Sequence, residues 1–196
     1  MQRVLIFDLG GVLLPFDRQL RIDAMSHALK VAPAAVEAFT FSGVAERLDR
    51  GEIGLIDLAA EMGRLAGRSV STGEARALLL SVFETPNTVL WDLAAGLRPA
   101  VTTAVLSDNP SCVLDVFPRH DAFDAVFLSA ELGITKPAPA VFDTVTSRLG
   151  VEPKQITFVD DSETNVVGAG AVGWDAIQFS SNEQVLGELA RRGFHH

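Results

Sequence analysis

Four polar sites, far apart in the chain, carry residue types that fit one chemistry. Asp8 ends the apolar run Val4-Leu5-Ile6-Phe7 and is followed by Leu9-Gly10-Gly11. Ser107-Asp108-Asn109 follows a second apolar run, Lys136 precedes Pro137, and Asp160-Asp161 closes a run that begins at Ile156. A carboxylate placed like Asp8 serves as a nucleophile, as a metal ligand, as both, or simply as the cap of a loop. Glycines beside it let the backbone turn tightly and bring N–H groups close to an anion. Asp8, Asp160 and Asp161, once gathered, repel one another unless a cation lies between them. Hard oxygen ligands with room for water favour Mg2+ over zinc. A hydroxyl from Ser107 and a positive charge from Lys136 would face the same anion, most simply a phosphoryl group. Asp8 is then the nucleophile of an in-line transfer. Each residue also has an ordinary role: Ser107 as a helix cap, Lys136 as a solvated loop lysine, and the acid pair at a helix N-terminus.

Such chemistry needs elements that bring these sites to one edge. Residues 4–7 are short and wholly apolar, which reads as a strand buried on both faces. Further strands are expected at 102–106, 125–128, 156–159 and 176–179, and helices at 88–97, 138–149 and 163–171, with Gly150 as a helix stop. The alternation implies an α/β protein with a mostly parallel sheet, whose ligands bind outside the carboxyl ends of the strands. Residues 15–85 differ: Ile22, Met25, Ala28 and Leu29 fall at helical spacing, as do Leu55, Leu58, Ala59 and Met62. The stretch from Leu48 to Ile53 reads as a helix end and a new start. The expected division is therefore a core of residues 1–14 and 86–196, with residues 15–85 as an all-helical insertion.

With 196 residues, 48% of them apolar and 21% charged, the chain can bury one substantial core plus a small insertion. A formal charge of −9 disfavours nucleic acid and anionic membrane surfaces as partners. An anionic substrate therefore needs local positive charge, which Lys136 and a bound cation would supply. No apolar stretch approaches the roughly 20 residues of a bilayer span. Residues 4–7 are too short for a signal peptide, and Asp8 interrupts them. One cysteine, Cys112, excludes an internal disulfide framework and suits a cytoplasmic setting; it reads as a small apolar residue rather than a nucleophile. His27, Arg47, Arg50 and Glu52 either touch substrate or line an exposed helical face. Trp91 and Trp174 read as packing, His120 as a residue near the site or on the surface, and His195-His196 as a frayed tail.

The ordered set resembles the haloacid dehalogenase superfamily, whose members are mostly phosphatases. The likeness is carried by FDLGGVL around Asp8, VLSDN around Ser107, LGITKPAPAVF around Lys136 and FVDDSETNVVGAGAVG around Asp160. It spans nearly the whole chain, and its strength lies in the order and spacing of the motifs. It implies a Rossmann-like α/β core with a five-stranded parallel sheet and an inserted α-helical cap that closes over the site. Within the superfamily the chain is similar to small sugar-phosphate phosphatases and to the N-terminal domain of soluble epoxide hydrolases. The resemblance makes Asp8 the nucleophile, Lys136 the group that positions it and offsets developing charge, and Ser107 a phosphate ligand. Leu9, Gly10, Asp108 and Asn109 complete the phosphate-binding set. Mg2+ is assigned to Asp8, the backbone carbonyl of Gly10, Asp161 directly, and Asp160 as ligand or support. Asn165, where the family often has another acid, would orient the metal's water.

One departure matters. The family's phosphatases carry a second Asp two residues after the nucleophile, which protonates the leaving alcohol and then activates water; here that residue is Gly10. General acid–base help is worth roughly 10²–10⁴ in rate. Three explanations stand side by side. The leaving group has a low pKa, as in a sugar 1-phosphate; a cap residue such as Asp17, or the metal's water, substitutes; or the protein binds phosphate esters and barely hydrolyses them. The expected function is a Mg2+-dependent phosphomonoesterase acting on a small phosphorylated metabolite, slowed by Gly10. The alternative is a catalytically weak binding or regulatory protein. Gly10 and Asp160-Asp161 argue against a 2-haloacid dehalogenase, and the missing acid argues against a phosphomutase. Neither nucleic acid nor membrane is an expected partner, and both a monomer and a homodimer remain open.

Overall fold

Val4, Leu5, Ile6 and Phe7 form β1 (Val4–Phe7), and none of the four exposes any surface. A computed structural model describes residues 2–40, 43–81, 83, 85–117 and 122–195. The other strands are β2 (Thr102–Ser107), β3 (Ala125–Leu128), β4 (Ile156–Asp160) and β5 (Asp175–Gln178). They form one five-stranded sheet in the order β3-β2-β1-β4-β5, and every pairing is parallel. This is the expected architecture, with small shifts at the strand ends. β2 and β4 each run one residue further than the apolar pattern shows, because Ser107 pairs with Leu128 and Asp160 with Gln178. β5 begins one residue early, where Asp175 pairs with Thr157. Backbone pairing thus carries two polar residues into fully buried positions at the strand ends.

The helices are, in chain order, α1 (Arg18–Leu29), α2 (Pro33–Thr40), α3 (Gly43–Asp49), α4 (Leu55–Ala66), α5 (Thr72–Leu80) and α6 (Thr88–Leu97). After β2 come α7 (Ser129–Leu132), α8 (Pro139–Leu149), α9 (Glu163–Ala171) and α10 (Asn182–Arg191). Side chains alternate across β1, so each face of the sheet carries its own apolar cluster. Leu5 and Phe7 pack with Trp91 of α6 and Leu189 of α10. Val4 and Ile6 pack with Val141 and Phe142 of α8 and Ala169 of α9. Among the described residues no helix is long and apolar enough to cross a membrane.

Between β1 and α6, five helices gather a third cluster. Ile22, Met25 and Leu29 of α1 meet Val36 of α2, Leu48 of α3, Leu58 and Met62 of α4, and Ala75 of α5. Ala28 and Leu55, which helical spacing puts on the same faces, are only partly covered. Asp17 caps α1: its Oδ1 accepts from the N–H groups of Gln19 at 2.7 Å and Leu20 at 3.1 Å, and the residue is exposed. The helix-cap role expected for Asp17 is therefore the one the structure shows.

The end of α3 is fastened to the sheet domain. The buried Ser129 hydroxyl at the start of α7 donates to the backbone carbonyl of Asp49. Gly51 follows with φ 68°, and a Cβ there would collide with the carbonyl of Ala130. Both the left-handed backbone and the close approach require glycine at this turn. Gly51→Ala should cost roughly 1–3 kcal/mol from backbone strain alone, with the collision added. Urea denaturation tests this; unchanged stability would mean that the turn lifts off α7 freely.

Candidate active site

Parallel register builds the site. Phe7 is level with Val159, so the next residues along, Asp8 and Asp160, emerge side by side. The Asp8 N–H donates to the Val159 carbonyl at 2.8 Å, which extends the ladder to the nucleophile candidate. Lys136, in the segment between α7 and α8, reaches in from the other side. Its Nζ lies 2.9 Å from Asp8 Oδ1 and 2.7 Å from Asp160 Oδ2, and it also donates to the Leu106 carbonyl at 3.3 Å. The Lys136 side chain is only 1% exposed, so its charge survives on these contacts. Burial works against its ammonium, but Asp8, Asp160 and Asp108 more than offset that and push its pKa up. Burial also pushes the Asp8 carboxyl well above the usual carboxylate range, with Lys136 opposing and Asp160 and Asp108 adding to the rise.

The two oxygens of Asp8 differ. Oδ1 accepts from Lys136 and from the Leu9 N–H at 2.7 Å. Oδ2 has no hydrogen-bond partner among the described residues, which leaves its lone pairs free for bond formation. Asp160, fully buried, accepts from the Ser162 N–H at 2.8 Å and from the Asn165 amide at 3.1 Å on each oxygen. The Asn165 amide nitrogen thus orients Asp160, the acid expected beside the metal. Asp161 exposes much of its surface, yet partial desolvation of its carboxyl, with Asp160 adding, pushes its pKa up.

Asp8, Asp160 and Asp161 each offer an oxygen within 4.8 Å of the others. Three carboxylates face one ammonium, with no sulfur or imidazole ligand in the cluster, and this donor set fits a hard cation such as Mg2+. The two glycines after Asp8 are not equivalent. Gly11 has φ 79°, and a Cβ there would run into the Asp161 carboxylate. A Cβ at Gly10 would meet nothing within 4 Å. The backbone thus demands glycine at 11 and leaves open space at 10.

The remaining expected residues gather at the end of β2. Ser107 is fully buried, and its Oγ accepts from the Asn109 amide at 2.9 Å. Asp108 Oδ1 accepts the Lys136 backbone N–H at 3.1 Å, so its carboxylate holds the lysine's loop in place. Cys112 is partly buried, and burial pushes its thiol up, away from thiolate chemistry. Trp91 and Trp174 are packed in the two sheet clusters. His195 is exposed, while His120 and His196 lie outside the described residues.

A family model for haloacid dehalogenase-like hydrolases matches residues 2–173. The chain belongs to that family. It is 27% identical to a D-ribitol-5-phosphate phosphatase of Bacteroides thetaiotaomicron, over 91% of this chain and 92% of that one. A haloacid dehalogenase family enzyme from the same organism, solved with magnesium and inorganic phosphate, has a TM-score of 0.83 at 26% identity, covering 93% of this chain and 96% of that one. A predicted HAD-like family hydrolase from Porphyromonas gingivalis gives a TM-score of 0.87 at 26% identity, covering 100% of both chains.

Beside Lys136 and Asp108 of this hydrolase opens a cleft of about 420 Å³, also lined by Arg21, Thr40, Glu46 and Asp49. A smaller cavity of about 70 Å³ shares Arg21, Thr40, Asp49 and Asp108 with it and runs inward to Met25 and Met62. Sequence reasoning missed Arg21 and Asp49 and pointed to their neighbours instead. Arg47 and Arg50 pair with Glu46 and Glu52 along the rim, and His27 is exposed. Arg21 stacks on Phe16 at 4.6 Å, and its buried Nε has no hydrogen-bond partner among the described residues. Burial brings Arg21 down to about 10, against the opposing charge of Asp49. Asp49 is pushed up to about 7 by burial and then by Asp108, with Arg21 opposing and Glu46 adding a little. The only signal for either residue in the sequence is a charge placed next to a core position, Ile22 or Leu48.

Proposed function

We propose that this hydrolase is a Mg2+-dependent phosphomonoesterase of small phosphorylated metabolites, with sugar and polyol phosphates first among them. The observation that carries the reading is the Lys136 ammonium locked between Asp8 and Asp160, with Oδ2 of Asp8 left without a hydrogen bond among the described residues. The D-ribitol-5-phosphate phosphatase among its relatives supports the substrate class. A cleft of about 420 Å³ suits a small ester, since small-molecule sites run from about 300 to 1,000 Å³. Residues 15–85 act as the cap over that cleft, and residues 1–14 and 86–196 as the catalytic core. The single cysteine fits a cytoplasmic setting.

Asp8 Oδ2 attacks phosphorus, and the ester oxygen departs on the opposite side, leaving an aspartyl phosphate that water then hydrolyses. Lys136 holds Asp8 by Oδ1 and turns its charge toward the phosphoryl oxygens. Mg2+, held by Asp8, Asp161 and the Gly10 carbonyl with Asp160 in support, would supply further positive charge to those oxygens. The Leu9 and Gly10 backbone and the Ser107 hydroxyl bind the phosphate; Ser107 accepts from the Asn109 amide and keeps its own proton to donate. Asp108 contributes backbone only, because its carboxylate is engaged by Lys136.

The test is phosphate release from polyol phosphates, sugar 1-phosphates and p-nitrophenyl phosphate, with Mg2+ and with EDTA. Release that needs Mg2+ is expected. Independently of turnover, Mg2+ should raise the thermal midpoint of the wild type and fail to do so in Asp161→Asn, because a ligand stabilises only the state that binds it. The missing acid at Gly10 favours a second reading, a catalytically weak phosphate-ester binder. Tight binding of phosphate analogues with no turnover on any ester would establish that one instead.

A further inference from the structure

We infer that Asp49, at the end of α3, is the general acid and base of the reaction, giving its proton to the departing ester oxygen and later taking one from water. The inference rests on the phosphomonoesterase reading above. Geometry leads to it. In an in-line displacement the leaving oxygen lies opposite the nucleophile, so it points away from the end of β1 and into the cleft. The cleft beside Lys136 is walled by α1 and α3, and its titratable lining groups are Arg21, Glu46 and Asp49 from the helical segment, with Asp108 and Lys136 from the sheet domain.

Four of the five are unsuited. Arg21 and Lys136 stay charged at neutral pH. Glu46 is exposed and paired with Arg50 at 2.8 Å. Asp108, though burial raises it too, gives Oδ1 to the Lys136 backbone N–H, which ties its carboxyl to the lysine's loop beside Asp8. The Asp49 carboxyl makes no hydrogen bond or ion pair among the described residues, so its proton is uncommitted. Its backbone is not free at all: Ser129 grips the Asp49 carbonyl, and Gly51 sits against Ala130. The residue is therefore held at a fixed place over the catalytic edge although it belongs to the helical segment. A carboxyl that titrates near neutrality also has the proton affinity that this task favours.

The step balances. The bond from Asp8 Oδ2 to phosphorus forms as the bond from phosphorus to the ester oxygen breaks. The electron pair goes to that oxygen, which takes the Asp49 proton and leaves as the alcohol. Water then attacks phosphorus, Asp49 recovers a proton from it, and the electron pair of the acyl phosphate bond returns to Asp8.

Asp49→Asn keeps the shape of the neutral acid, and its turnover on ribitol 5-phosphate with Mg2+ should fall by roughly 10²–10⁴-fold. On p-nitrophenyl phosphate, whose leaving group needs no proton, it should release one burst of nitrophenolate per enzyme and then stall as phosphorylated enzyme. A merely structural role would not separate the two esters. In the wild type, kcat/KM on the polyol ester should decline above neutral pH, where Asp49 loses its proton, and Arg21→Met should move that decline to higher pH. Wild-type turnover by Asp49→Asn on the polyol ester overturns the inference, as does a decline that Arg21→Met leaves in place. Either result leaves the phosphatase reading standing if wild-type release still depends on Mg2+. Absence of wild-type release from every ester overturns both.

Discussion

Asp8→Asn should abolish phosphate release, by roughly 10⁴-fold or more, while the protein stays folded. The loss follows from chemistry: an amide in place of Oδ2 has no lone pair able to form an acyl phosphate. The folding part follows from the surroundings. Burial already favours the uncharged form of Asp8, so a neutral near-isostere suits the position. Lys136 keeps Asp160 at 2.7 Å, so its ammonium is not orphaned. Asn can place its oxygen where Oδ1 now accepts from Lys136 and Leu9 and turn its amide toward the cleft. In EDTA, removing one of three converging carboxylates also relieves repulsion, so the urea midpoint should hold or rise. Phosphate release and denaturation measured on the same preparation decide the matter. Surviving Mg2+-dependent turnover would sink the aspartyl-phosphate mechanism.

The convergence of the site was legible in the sequence because of one topological fact. In a parallel sheet every strand presents its carboxyl end to the same edge, so Asp8, Ser107 and Asp160, each ending an apolar run, must come together. What β1 is was equally plain, since four uniformly apolar residues between polar neighbours have no exposed face to offer. The four residues of α7 offered no periodicity to detect, yet its Ser129 anchors Asp49. Nor does the doublet Gly10-Gly11 say which glycine the backbone needs. Only the approach of Asp161 to residue 11 does.

The helical segment between β1 and α6 was the least legible part, for a reason visible at α3. A helix of seven residues turns its side chains where docking sends them, and this docking is set by Ser129 and Gly51, outside the apolar pattern. Charge alone drew attention to Arg47, Arg50 and Glu52, which satisfy one another on the rim. Arg21 and Asp49 face inward because Ile22 and Leu48 beside them are drawn into the helical cluster. Two charges are thereby carried to the cleft by the burial of their apolar neighbours.

Lys136→Met should do more than slow the enzyme: it should destabilise the fold by about 3–5 kcal/mol, the usual cost of leaving buried charges without their partner. Asp8 and Asp160 would lose the ammonium that lies within 3 Å of each, and Met can donate nothing to the Leu106 carbonyl. Turnover should fall by roughly 10²–10³-fold, as when one group aimed at transition-state charge is removed. Lys136→Arg should not restore either property, because a slot that leaves the lysine side chain 1% exposed has no room for a planar fork. The pH dependence in EDTA has a definite sign. Burial already holds Asp8 above its unfolded value, and removing Lys136 takes away the charge that opposes this rise. The folded state then binds protons more readily than the unfolded one, so the deficit in stability should shrink as pH falls toward the usual carboxylate range and grow toward neutrality. Mg2+ should stabilise the variant more than the wild type, because it then supplies positive charge to the cluster in the lysine's place. Urea midpoints across pH, with EDTA and with Mg2+, read all of this; a deficit independent of both would mean that Lys136 supports the fold by packing and not by its charge.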